Sequence, residues 1–213
     1  MADIQALIFW SGGVLHPALV EVISQVFTGM GRVNLNYYAL PDFIHLIDDF
    51  ALGKMNDSSF CRAVAENAGL DISPDELKEK IIEKITPNPG VIQTIQSLPE
   101  SRQRWLIVDY PRSWFDKMAA RLEIFPCFSR KRLIFLSQMG LKCMIPDVFD
   151  HVVQLSQAPV NGCLWIDQNQ KRCVQTLRAG MQSAIFVNAR NLEREFILRR
   201  FIGKTQFNHQ PSV

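Results

Sequence analysis

Short, almost wholly apolar runs alternate with helical periodicity along most of the chain. Residues 4–9 read Ile-Gln-Ala-Leu-Ile-Phe and run on toward Gly12-Gly13, the pattern of a buried strand that ends in a tight turn. Similar runs stand at 105–108, 133–136, 163–166 and 184–187. Between them the apolar spacing predicts amphipathic helices at 111–122, with Pro111 at the first helical position, and at 148–155 and 170–179. Strands that alternate with helices in this way predict a parallel sheet covered on both faces, because each parallel connection needs a crossover.

Residues 17–98 break the alternation, since no strand pattern occurs there and consecutive helices do. One spans 41–52 and stops at Gly53; the next spans 58–68 and stops at Gly69. Ser73-Pro74-Asp75-Glu76 is a capping box, whose hydroxyl and carboxylate each satisfy an otherwise unpaired backbone N–H, and the helix it opens runs to about Ile85. Pro87-Asn88-Pro89-Gly90 then forces a turn before a helix that reaches Leu98. The expected organisation is an α/β core at 1–16 and 99–202, an all-helical cap at 17–98 inserted after the first strand, and a loose tail at 203–213. Tyr37, Tyr38, Phe43 and Phe50 make the cap aromatic; we expect most of them in its core, and a partner-binding surface is the alternative.

Composition adds limits. A length of 213 residues with 47% hydrophobic content suits one sizeable core plus a small accessory unit. A formal charge of +2 is too mild to predict a nucleic-acid partner, so Arg130-Lys131-Arg132 and Arg199-Arg200 read as solvated surface. Asp3 stands where a signal peptide would carry a basic residue, and no run approaches the roughly twenty apolar residues that cross a bilayer. A cytoplasmic protein without a membrane partner is expected. The five cysteines are scattered with no CxxC pair, which fits a reducing compartment. His16 and His151 read as structural, and none of the four histidines is spaced for a metal.

In an open α/β sheet the working residues follow the strands, at their carboxyl ends. After the first strand stands Phe9-Trp10-Ser11-Gly12-Gly13-Val14-Leu15; after the second, Val108-Asp109-Tyr110-Pro111-Arg112. Then come Met139-Gly140-Leu141-Lys142-Cys143-Met144-Ile145-Pro146-Asp147-Val148-Phe149 and Leu164-Trp165-Ile166-Asp167-Gln168-Asn169. In order and spacing these resemble the four motifs of the haloacid dehalogenase superfamily, over about 4–196. The resemblance implies a three-layer Rossmannoid core with a parallel sheet, a helical cap after the first strand, and magnesium as the family's ion.

It also marks what this chain lacks. The first motif of the family is Asp-x-Asp, in which the first acid attacks phosphorus and the second transfers a proton. Here those positions hold Trp10 and Gly12. Asp109 replaces the hydroxyl that contacts phosphoryl oxygens, and its charge opposes them. The third-motif lysine falls on Cys143, with Lys142 the alternative if the loop shifts by one residue. The fourth motif keeps Asp167 but has Gln168 where a second acid is usual, so Asp167 is at most a weak magnesium ligand; capping the next helix is its plainer role. A residual pocket would be built from Asp109, Lys142, Asp167, Gln168 and Asn169. We expect a catalytically degenerate member, with no cofactor, that binds a protein partner or small ligand, a second copy of itself being one candidate partner. The alternative is a hydrolase rebuilt around Asp109 and Asp167, since paired carboxylates in a cleft shift each other's proton affinity.

Overall fold

The fold is described from a computed structural model, over residues 3–31, 41–140 and 147–203. Five parallel strands form one sheet: β1 (Ala6–Trp10), β2 (Gln103–Val108), β3 (Leu133–Phe135), β4 (Cys163–Asp167) and β5 (Gln182–Ile185), in the order β3-β2-β1-β4-β5. Strand β1 is central, with Phe9 opposite Leu106 on one side and Ile166 on the other. Every residue of β1 is buried, which explains why it reads as a continuous apolar run rather than an alternation.

Period two still decides which face each side chain covers. Leu7 and Phe9 join one core with Trp114, Phe115, Ile92 and Phe196, whereas Ala6, Ile8 and Trp10 join another with Trp165, Val148, Phe149 and Cys173. Apart from Trp165 of β4, these partners come from helices α5 (Val91–Gln96), α6 (Arg112–Met118) and α9 (Ala189–Leu198) on the first face, and α7 (Asp147–Ser156) and α8 (Gln170–Arg178) on the second. The result is the expected three-layer α/β arrangement.

The remaining helices, α1 (Leu19–Gly29), α2 (Pro41–Ala51), α3 (Asp57–Asn67) and α4 (Pro74–Lys84), precede α5 between β1 and β2 and contact one another. Ser73 Oγ accepts the Glu76 N–H at 3.2 Å and Asn56 Oδ1 accepts that of Ser59 at 2.9 Å, so two helix starts are capped by side chains. Phe43 and Phe50 are buried; Phe50 stacks on Phe60 at 3.9 Å and meets Trp114 of α6 at 5.0 Å. The helical insert and the sheet domain therefore share one core. Tyr37 and Tyr38 lie outside the described residues, as does the tail after Gly203.

Some boundaries differ from the periodicity. The last strand is Gln182–Ile185 instead of 184–187, because it is an edge strand whose apolar letters continue past the pairing, to a Val187 that is 68% exposed. Pro111 is the extended residue before α6 and not its first turn, with ψ at 151°. Helix α9 lies where no helix is predicted, anchored by Leu192 and Phe196. Among the described residues no helix is long and apolar enough to cross a membrane. Cys61, Cys127, Cys163 and Cys173 are buried free thiols, and burial pushes Cys61 up to about 12 and Cys127 to about 11, which suits packing over nucleophilic work.

Candidate active site

Beyond β1 the chain coils tightly before α1. The Ser11 N–H donates to Ile107 O at 2.9 Å, and the N–H groups of Val14 and Leu15 return to Ser11 O. Gly13 sits at φ +90°, and a Cβ there would lie 2.2 Å from Gln168 Cδ, so only glycine fits. Gln168 thus closes over the turn. The second chain crossing is tied to the first by Asn88, whose Nδ2 donates to Val14 O at 2.9 Å and whose N–H donates to Leu15 O at 2.7 Å.

The turn aims three donors at Asp109. Trp10 Nε1 donates to Oδ2 at 2.7 Å, Ser11 Oγ to Oδ1 at 2.5 Å, and the Gly12 N–H to Oδ1 at 3.2 Å. The carboxylate is held in a ring of donors from the end of β1 and the turn after it. A Cβ on Gly12 would stand 2.6 Å from Asp109 Oδ2, so the space that a side chain would need at this position is filled by the second-strand acid.

Asp167, at the end of β4, has no solvent exposure. Arg172 grips it with two bonds, Nε to Oδ2 at 2.6 Å and Nη2 to Oδ1 at 2.9 Å, while the Asn169 N–H (2.8 Å) and Trp165 Nε1 (3.2 Å) complete its partners. This is the bidentate geometry that makes a guanidinium the strongest side-chain partner for a carboxylate. The helix cap is Asn169, whose Oδ1 accepts the Arg172 N–H at 3.1 Å, so capping is not the role of Asp167. Arg172 also lies 4.0 Å over the Trp10 ring, whose other neighbour is Trp165 at 5.7 Å. Trp10 therefore bridges the two acids: its N–H points to Asp109, and its face carries the cation that neutralises Asp167.

Sequence reasoning brings Trp10, Gly12, Asp109, Asp167 and Gln168 to this edge, and the fold places them together. Lys142 and Cys143 lie outside the described residues. Arg172 and Ser11 are the residues it passes over. A signal existed for the first, since a cation in the opening turn of α8 faces the positive end of the helix dipole and calls for an acid nearby.

Magnesium asks for several oxygens in octahedral array. Here both Asp167 oxygens are taken by a guanidinium, an indole stands at the first-motif position, and Gln168 packs on Gly13. Among the described residues no group of three or more His, Cys, Asp or Glu is placed to hold a metal. Among the described residues, the carboxylate oxygens of this edge are engaged by protein donors and do not fit the ion.

Two further groups border the edge. His16 is buried; its Nδ1–H donates to Pro17 O at 2.7 Å, which leaves Nε2 to accept the Tyr110 hydroxyl at 3.2 Å. Desolvation lowers its proton affinity, against a smaller opposing pull from Asp109. From the helical insert, Asp48 of α2 feels the charge of Arg172, although burial is the larger effect and raises its pKa. A Cβ at Gly53, just past α2, would lie 2.6 Å from Ser137 O, so the insert sits directly against the segment after β3.

No protein-family model and no curated protein matches the sequence. Solved structures do match the fold. A haloacid dehalogenase family enzyme from Bacteroides thetaiotaomicron, solved with magnesium and inorganic phosphate, is 15% identical with a TM-score of 0.67, covering 87% of this chain and 96% of its own. A predicted hydrolase of the same type from Porphyromonas gingivalis is 17% identical with a TM-score of 0.69, covering 92% and 98%. The L-2-haloacid dehalogenase of Xanthobacter autotrophicus is 17% identical with a TM-score of 0.66, covering 93% and 86%. With its parallel sheet, its helical insert after β1 and these structural neighbours, the chain has the fold of the haloacid dehalogenase superfamily.

Proposed function

We propose that this chain is a non-enzymatic member of that fold, which uses its core and helical insert to bind a protein partner or small ligand and does not transfer phosphoryl groups at its carboxyl edge. One observation carries the reading: the Trp10 indole bonds Asp109 and lies against the Arg172 that grips Asp167, so both acids of this edge are engaged. Covalent phosphoryl transfer needs an attacking carboxylate and a positioned proton carrier, and here an indole and a glycine stand in their places. The same contacts argue against a hydrolase rebuilt around Asp109 and Asp167, since each acid is saturated by its own donors. Magnesium binding is likewise absent from this proposal.

The test is turnover of p-nitrophenyl phosphate and a panel of sugar phosphates by the purified chain with millimolar magnesium. The expected rate is that of buffer. Magnesium-dependent hydrolysis that Asp109→Ala or Asp167→Ala abolishes would overturn the proposal in favour of the rebuilt site.

A further inference from the structure

At the opposite, amino-terminal edge of the sheet lies a cavity of about 490 Å³. Asp3 and Ile4 before β1, Arg102 before β2 and Gln182 of β5 contribute to its wall, and the end of α9 with the following residues closes it. We infer that this cavity is a binding site for a small organic anion, a phosphate monoester or a dicarboxylate with an apolar part. It is independent of the carboxyl edge and of the function proposed for it.

Charge comes first. Three guanidiniums, those of Arg102, Arg199 and Arg200, line the cavity; Arg102 is paired with Asp3 and Arg199 with Glu195, which leaves the charge of Arg200 in excess. An anion entering there meets an excess of fixed positive charge, and the pull is strongest at low ionic strength.

Two of the three arginines are held in place. Arg102 Nη1 bonds to Ile4 O and to Asp3 at 3.1 Å, and its guanidinium lies 5.2 Å from the centre of the Phe201 ring. Arg199 Nε bonds to Glu195 at 2.6 Å and its Nη1 to Gln182. A guanidinium carries five donor hydrogens, so each keeps donors for a ligand while its stem is fixed, and little freedom remains to be lost on binding. Ile4, Phe201 and the 74%-exposed Leu198 supply an apolar wall.

The third arginine is the telling one. Helix α9 ends in a Schellman turn: the Phe201 N–H bonds back to Phe196 O at 2.8 Å, and the rings of Phe196 and Phe201 pack at 5.9 Å. The residue between, Arg200, sits at φ +60°, where glycine is the usual occupant and a side chain is strained. Glu123 and Gln157 share this conformation at other helix ends, so the turn by itself assigns nothing; what sets Arg200 apart is that its exposed side chain lines the cavity.

Isothermal titration of the full chain with phenyl phosphate, phenylsuccinate and neutral phenol at low salt tests the site. The expected result is one-to-one binding of at least one anion at millimolar affinity or tighter, with phenol silent; the tighter of the two anions names the ligand class. Arg200→Gly should weaken that binding about tenfold while raising the melting temperature, because it relieves the strained turn and removes the cation together. Arg199→Gln should weaken it independently. The assignment fails if neither anion saturates, if phenol binds as well as they do, or if the affinity survives in the Arg199→Gln, Arg200→Gly double variant.

Discussion

Replacing Arg172 by alanine is the sharpest probe of the carboxyl edge. The change strands a carboxylate that has no solvent exposure, leaving Asp167 with the Asn169 N–H and the Trp165 indole as its described donors. Removing one partner of a buried ion pair costs about 3–5 kcal/mol. The Arg172 side chain is 20% exposed, so part of its desolvation was never incurred and the lower end, about 3 kcal/mol, applies. Losing the cation over the Trp10 face adds about 0.5–1 kcal/mol. For a chain of this size each kcal/mol moves the melting temperature by about 2–4 °C, so the midpoint should fall by roughly 10 °C. Urea denaturation with linear extrapolation, checked by calorimetry, reads both quantities.

The reverse change, Asp167→Asn, should cost less, about 1–2 kcal/mol, because the freed guanidinium can turn into water whereas the carboxylate cannot. The double variant should then be less destabilised than the sum of the two. A loss below about 1 kcal/mol for Arg172→Ala, or strict additivity in the cycle, would show that Arg172 is an ordinary surface cation and that Trp10 is not part of a neutralised cluster.

Other perturbations separate packing from chemistry. Trp10→Asp combined with Gly12→Asp restores the family's acids, yet no phosphatase activity should appear, since a side chain at 12 would collide with Asp109 and a new carboxylate would face it; measurable turnover in the p-nitrophenyl phosphate assay would refute this. Gly13→Ala should destabilise by about 2 kcal/mol or more, as it sets a Cβ into Gln168 at positive φ, and a neutral result by denaturation would mean the turn is looser than described. His16 makes a pH prediction. Its folded-state pKa lies below the ordinary 6.5, so the unfolded chain binds its proton first on acidification; its contribution is complete above about 6.5 and is lost as pH falls below that value. His16→Gln should therefore flatten the stability profile on the acid side of about pH 6.5. An unchanged slope would sink the buried-neutral assignment.

The amino-acid order alone carries the architecture. Apolar runs such as 4–9 and 163–166 announce strands because a sheet buried on both faces tolerates few polar letters, and Ser73-Pro74-Asp75-Glu76 announces a helix start because its signals are local. That Trp10 and Gly12 stand at the strand end where the resemblance puts the family's acids is equally legible, since motif order does not depend on packing. Helix α9 and the bounds of β5 are not, because at the margin of a sheet burial is partial and the apolar pattern weakens.

What only the tertiary structure decided is where the surviving charges go. Asp109 reads as a free, repelling acid and turns out to be ringed by donors from the end of β1 and the turn after it; Asp167 reads as a weak metal ligand or cap and turns out to be gripped by Arg172. The Trp10–Asp109 bond joins residues 99 positions apart, which no local pattern encodes, whereas the Asp167–Arg172 pair is five apart and depends on how α8 leaves β4. The same holds at the other edge, where Arg102 and Arg199-Arg200 become one lined cavity only when β2, β1, β4 and β5 are laid side by side.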